Sequence, residues 1–474
     1  MNMKKSVVVA AACAVAVGAA VPAFAFENEF HGMFQTQFDV SNFNGTNNVR
    51  DNQGDTGGFG TYDPSTTDKK APTANFFEQR ARLAYIAKAS DDLKLVTKFE
   101  IDYKYWGNDS YSVKRNGGAA LGSDDINLET KNVYLDMNIP TTKINAKIGM
   151  QPFDDAFKGI FASADMAGIF VSHSYTDAAA SAGFFRWNDN GFDLGKETRD
   201  FFVLDGKYNV TKDIKVGGAY YLVNSDNADR DQGAYTAPQV NNVENVIVHM
   251  LGVNAEAGFG PLTLDGFVVY QFGNDEQTVS KPTSNHISAF AANAGARLKV
   301  GKGTARTELL YVSGEGNPGG RSTSNAFYTP SGFGLSESGY YSNEMVILGR
   351  DKYAMTNDAA IVYDVNNRDQ GVIFGALGYD HPFTDKLKAS ANLGFAAVAK
   401  ENLNKPVNVK TGQRNSSNYL GTEINAEVDY KVFESVTLTG RAGYVVLGDY
   451  YKDIAANGTP DNPYDVKLIV NYSF

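Results

Sequence analysis

The sequence predicts an all-β chain, and within that class a transmembrane antiparallel β-barrel of about 18 strands, with 16 as the alternative count. Three observations carry this. Segments of roughly 10–14 residues alternate apolar and polar side chains from end to end. Very short turns interleave with long Gly/Asn/Asp/Ser-rich loops, an asymmetry expected of outer-membrane barrels. Composition agrees, because 12% of residues are aromatic and 47 of 474 are glycine, which suits strands and turns. No composition break divides residues 26–474, so one barrel is expected over that whole length.

The element order begins with Lys4 and Lys5, the apolar run Ser6 to Val21, Pro22 and the small-residue pattern Ala23-Phe24-Ala25. This pattern predicts a secretory signal peptide over residues 1–25. Cys13, the one cysteine of the chain, falls inside it. A lipoprotein reading of Cys13 fits poorly, since Ala10-Ala11-Ala12 lacks the usual Leu. The exported chain is therefore expected to have no disulfide, thiol nucleophile or Cys-ligated cofactor. A net charge of −11 argues against a nucleic-acid partner. No plug domain is expected before the first strand, near Phe30 to Phe43.

Alternation is clearest from Leu93 to Trp106. Leu93, Leu95, Phe99, Ile101, Tyr103 and Tyr105 fall on one face, while Lys94, Lys98, Glu100, Asp102 and Lys104 fall on the other. Before it, Ala81, Leu83 and Tyr85 oppose Arg80 and Arg82, and Ser90-Asp91-Asp92 makes the turn. After it, Val133, Leu135 and Met137 oppose Asn132, Tyr134 and Asp136, and Pro140-Thr141 turns into a strand in which Lys147 is polar and Ile148 apolar. Far downstream, Ile424, Ala426, Val428 and Tyr430 oppose Glu423, Asn425, Glu427 and Asp429. Ala167–Asn188 and Tyr341–Asn367 are ambiguous as strands. Tyr85, Tyr103, Tyr105, Tyr430 and Tyr472 sit near predicted strand ends, where aromatic girdles are expected.

The chain ends on Tyr464, Val466, Leu468, Val470, Tyr472 and Phe474, one apolar face closed by a terminal aromatic. This ending resembles the targeting strand of bacterial outer-membrane proteins. Phe77-Glu78-Gln79-Arg80-Ala81-Arg82-Leu83, the charged strand after it and Ile148-Gly149-Met150-Gln151-Pro152-Phe153 resemble the N-terminal half of outer-membrane porins, including the phosphate-selective group. The resemblance implies a Gram-negative outer-membrane location, insertion by the barrel assembly machinery that reads Tyr472 and Phe474, contact with outer-membrane lipid and lipopolysaccharide, and a homotrimer.

A closed barrel satisfies every backbone polar group within hydrocarbon, and at 16–18 strands its bore is too wide for side chains to fill. Water and fixed charge then make a diffusion channel for ions and small hydrophilic solutes, with no cofactor and no catalysis. The segment from Phe153 to about Met166 occupies the place of the inward-folding third loop of porins. Its acids Asp154, Asp155 and Asp165 are expected to face the basic wall of Arg80, Arg82, Lys94, Lys98 and Lys147 across a constriction. Phe153, Phe157 and Phe161 are alternatively expected to pack the loop against the wall. Arg297, Arg306, Lys388, Arg441 and Lys467 also read as inward, matched by Glu256, Glu308, Glu423, Glu427 and Asp429. The balance predicts weak cation selectivity, with an anion- or phosphate-selective pore, or a non-conducting adhesin or sheath, as the alternatives. His31, His173, His249, His286 and His381 form no nucleophile elbow or metal-spaced pair, so no enzyme is expected. The Asp51–Asp55 and Asp226–Asp231 loops lack a complete calcium-binding pattern and are expected to be solvated.

Overall fold

The computed structural model describes residues 27–43, 73–107, 119–122, 128–189, 198–226, 243–279, 281–316, 323–332, 335–341, 343–355, 358–402, 404–454 and 458–474. The expected signal peptide, the Asp51–Asp55 loop and most of the Asp226–Asp231 loop lie outside them.

Alternation becomes wall. Among the described residues eighteen long strands run β1 Glu27–Ser41, β2 Ala74–Ser90, β3 Leu93–Tyr105, β4 Glu129–Asn138, β5 Ile144–Asp154, β6 Ser163–Ser174, β7 Ala178–Asp189, β8 Thr198–Asn209 and β9 Ile214–Ser225. They continue as β10 Val243–Phe259, β11 Leu262–Val279, β12 Lys281–Val300, β13 Gly303–Val312, β14 Val372–Pro382, β15 Leu387–Ala397, β16 Tyr419–Phe433, β17 Val436–Leu447 and β18 Tyr464–Ser473. Each pairs antiparallel with its chain neighbours, and β18 returns to β1 from Met33↔Ser473 to Ser41↔Asp465. The sheet is therefore closed at 18 strands, which removes the edge that hydrocarbon forbids. Ala167–Asn188 resolves into most of β6 and β7. Tyr341–Asn367 contributes no barrel strand and belongs instead to the connection between β13 and β14.

Short turns such as Asp91-Asp92, Gly260-Pro261, Gly301-Lys302 and Glu434-Ser435 share one rim, where β1 begins and β18 ends. The apolar face points outward: Leu83, Leu135, Ile148, Leu251, Val253, Leu377, Ile424 and Leu468 are all exposed. Exposed Tyr430 and Tyr472 lie toward the short-turn rim. The polar face points inward, where Glu78, Glu100, Glu423, Glu427, Arg441 and Lys467 are buried.

Closure at β1/β18 is completed by the last residue. Gly32 and Phe474 exchange backbone hydrogen bonds of 2.9 and 3.0 Å. The Phe474 ring lies over Gly32, so a Cβ added there would come within 2.5 Å of it. Tyr472 stacks on Phe474 with ring centroids 5.4 Å apart. Gly32→Val is predicted to displace the ring and destabilise the seam by about 1–3 kcal/mol, the usual cost of overpacking. A lower yield of heat-modifiable folded barrel on a gel checks this, and an unchanged yield contradicts it.

Candidate pore constriction

A bore this wide is not filled by wall side chains. Two connections fold into it.

The first runs from β5 to β6. Its fold is set by Asp155, which is buried and accepts four backbone N–H groups: Phe157 (2.7 Å) and Gly159 (3.0 Å) on Oδ1, Phe161 (2.7 Å) and Ala162 (2.9 Å) on Oδ2. Lys158 and Gly159 take positive φ of 63° and 72° to make this curl. Burial pushes the Asp155 carboxyl up to about 6, against the pull of the four donors. The curl then docks on the far wall. Phe153 packs against Phe185 and Phe201, and Phe157 against Tyr221 and Phe267. Phe157 seats in a dent on β10, where a Cβ at Gly252 would lie 2.5 Å from its ring. The Ala156 N–H donates to the Tyr221 hydroxyl (2.8 Å), which donates to Asp205 (2.9 Å), and Asn254 donates to the Ala156 carbonyl (2.9 Å). Lys158 bridges Asp265 (2.6 Å) on β11 and Glu308 (2.8 Å) on β13.

The second is the β13–β14 connection, residues 313–371. Met345, Val346, Ile347 and Leu348 are buried. Met345 and Val346 fill dents on the wall at Gly394 and Gly443, where an added Cβ would collide with them. Glu423 accepts the N–H groups of Val346 (2.8 Å), Ile347 (3.0 Å) and Leu348 (2.6 Å). Arg441 donates to the Met345 carbonyl (3.0 Å), and Gln35 to that of Tyr353 (3.3 Å). Asp351 pairs with Lys467 at 2.6 Å and Arg441 at 3.5 Å. Burial alone would push the Asp351 carboxyl up, but Lys467 and Arg441 outweigh it and hold the group below the usual carboxylate range. The two connections meet where Ser163 N–H donates to Glu337 carbonyl and Gly339 N–H to Gly159 carbonyl, both at 2.8 Å.

The three loop acids therefore separate. Asp154 accepts from the Ser163 hydroxyl, and Asp155 faces its own loop. A carboxylate turns inward there because its two oxygens serve four donors that would otherwise be buried without partners, each at about 1–3 kcal/mol. Asp165 lies within β6, not in the loop, and does meet a basic wall: it pairs with Lys131 at 3.0 Å and accepts from Asn132 at 2.7 Å. Lys131 was not among the residues the sequence singled out. Of those that were, Arg80 pairs with Asp102 (2.8 Å) and donates to the Ala354 carbonyl (3.4 Å), Arg82 pairs with Glu100, and Lys94 with Asp136 (3.4 Å). Lys98 lies among Arg82, Lys131, Asp165 and Glu100 and makes no ion pair of its own among the described residues. Lys147 stands 5.8 Å over the Tyr134 ring. Phe153, Phe157 and Phe161 pack the loop to the wall.

Among the described residues the hydrogen bonds and ring contacts of the two connections go chiefly to β6–β13 and to β16–β2. They leave the inner face toward the short-turn rim on β2–β5 uncovered, where Arg82 and Lys94 side chains are 29% and 43% exposed and Lys98 and Lys147 half-buried. Glu100, Asp102 and Glu129 bring carboxylate oxygens within 4.8 Å of one another. Arg80, Arg82 and Lys131 already supply the positive charge there, which makes the cluster a poor cation site.

This architecture is shared with solved outer-membrane channels. The chain is similar to Pseudomonas aeruginosa OpdL at 12% identity over 94% of this chain and 99% of that one, with a TM-score of 0.52. Acinetobacter baumannii OccAB1 matches at 11% identity over 94% and 96%, with a TM-score of 0.53. OpdK of Pseudomonas aeruginosa, solved with vanillate, matches at 11% identity over 95% and 100%, with a TM-score of 0.50. No family model and no curated protein sequence matches the chain. The likeness is one of fold: this is a closed 18-stranded antiparallel β-barrel. The expected resemblance to outer-membrane porins agrees with this likeness at the level of the barrel, whose 18-strand architecture these Opd and Occ proteins share.

Two outcomes follow from the docking contacts. Asp155→Asn turns an amide donor toward two of the four N–H groups and is predicted to loosen the first connection, read as faster proteolysis between residues 154 and 163 and noisier current. Because the Asp351 pKa is depressed on folding, its contribution is present above the usual carboxylate range and lost as pH falls through the depressed value. Conductance is therefore predicted to rise or become unsteady as pH falls below the usual carboxylate range, with a flat pH profile as the contrary result.

Proposed function

We propose that the chain is a non-enzymatic outer-membrane channel of the Opd/Occ type that passes small hydrophilic solutes, and small carboxylates in particular, along the β2–β5 wall. One observation carries this: the two inward connections leave uncovered a stretch of the β2–β5 wall on which Arg82, Lys98 and Lys147 face the lumen. Cations fixed along a narrow water path lower the barrier for an anion and raise it for a cation. The vanillate in the OpdK structure is a small carboxylate and supports the same reading by analogy of fold. Weak cation preference is the second reading, favoured by the net charge of −11 and by Glu256, Asp265 and Glu308 across the bore. Insertion through an assembly signal at Tyr472 and Phe474, contact with lipopolysaccharide and a homotrimer belong to the proposal as well, and cross-linking in detergent counts the copies.

Planar-bilayer recording is the test. Steady single-channel steps with a reversal potential on the chloride side of a KCl gradient are expected, together with reduction of the chloride current by millimolar vanillate. A reversal potential on the potassium side with no effect of vanillate would replace the carboxylate reading with the cation-leaning one.

A further inference from the structure

The Lys131–Asp165 contact exists because the β3–β4 register slips. Lys98 pairs with Asn132, but Phe99 pairs with Thr130, so Lys131 is an extra residue in the ladder. Simple alternation, with Val133 outward and Asn132 inward, would aim Lys131 at lipid, where a cation at mid-depth costs about 2–4 kcal/mol. The bulge instead turns Lys131 and Asn132 both into the lumen. There they hold the two oxygens of one carboxylate, Asp165, at 3.0 and 2.7 Å. Glu100 also lies 3.5 Å from Lys131, and Lys98 stands beside the pair without an ion pair among the described residues. The Lys131 and Asp165 side chains are 26% and 24% exposed, so water reaches both. Partly solvated pairs of this kind are weak and exchangeable.

Resting on the carboxylate-channel reading, we propose that Asp165 is a built-in competitor for the passing solute. Its carboxylate occupies the Lys131–Asn132 fork when the pore is empty, and a solute carboxylate replaces it there, so the pair sets how strongly the channel favours anions. The exchange forms and breaks hydrogen bonds and an ion pair, with no covalent step. Lys131 on β4 and Asp165 on β6 are thereby specificity-determining residues side by side on one stretch of the wall.

The test records wild type, Asp165→Asn and Lys131→Gln in planar bilayers, after heat-modifiable migration shows each to be folded. The two readouts are the reversal potential in a KCl gradient and the vanillate concentration that halves the chloride current. Asp165→Asn is expected to move reversal toward chloride and lower the half-blocking concentration by about two- to fivefold, and Lys131→Gln to do the opposite. Shifts in the same direction, or none in either variant, overturn the proposal and leave the pair a structural tie. A wild type that leans toward potassium and ignores vanillate defeats the carboxylate reading, while opposite reversal shifts in the two variants would still identify a charge gate.

Discussion

The backbone of the two inward connections dictates most of what the interior looks like. Eighteen strands satisfy their own N–H and C=O groups around the ring, and the bore they enclose is too wide to be filled from the wall. Chain that enters it brings polar backbone into a partly dry space, and each group left without a partner costs about 1–3 kcal/mol. Inward side chains meet that demand. Glu423 takes three successive N–H groups, Asp155 takes four, Arg441 donates to carbonyls, and Tyr221 with Asn254 serves Ala156. Gly252, Gly394 and Gly443 supply the complementary shape, since each is a missing side chain filled by Phe157, Met345 or Val346.

This demand divides the wall electrostatically. Charges on β16–β18 look like lumen lining by alternation, yet Glu423, Arg441 and Lys467 are almost fully buried and spent on the β13–β14 connection. Asp265 and Glu308 are likewise engaged by Lys158. Charges bound up in this way contribute little to a solute's potential. What remains for a solute is the exposed set toward the short-turn rim, Arg82, Lys94, Lys98 and Lys147 on β2–β5 together with Lys215, Glu256, Arg297 and Lys388 on β9–β15, and its sign, rather than that of the whole chain, bears on selectivity.

Much of this was legible in the sequence. Strict alternation placed Leu83, Ile148 and Ile424 outward and Arg82, Glu100 and Glu423 inward, because a one-residue slip of a whole strand would turn its apolar set to the lumen and its charges to lipid. The alternation of turn and loop length gave 18 strands once β6 and β7 were separated from the connection that follows β13. Three things were hidden. The β4 bulge breaks parity at one residue, and Lys-Asn carries no local mark of it. Asp155 reads as one more loop acid, since its four donors come from its own backbone. The β13–β14 connection shows no strand period because its order comes from the wall it leans on; inward glycines at 252, 394 and 443 were the available hint of something seated against them.

The central claim is that the inward connections bury the wall they lean on, such as Asn425, and leave Lys98 on a solvated stretch of β2–β5, and accessibility measures it directly. With Cys13 inside the expected signal peptide, single cysteines at Lys98 and at Asn425, which is buried beneath Met345, can be probed with a charged thiol reagent during bilayer recording. The account predicts rapid modification and a large drop in current for Lys98→Cys, and no reaction for Asn425→Cys in the folded channel. Rapid modification at 425 with silence at 98 would contradict it.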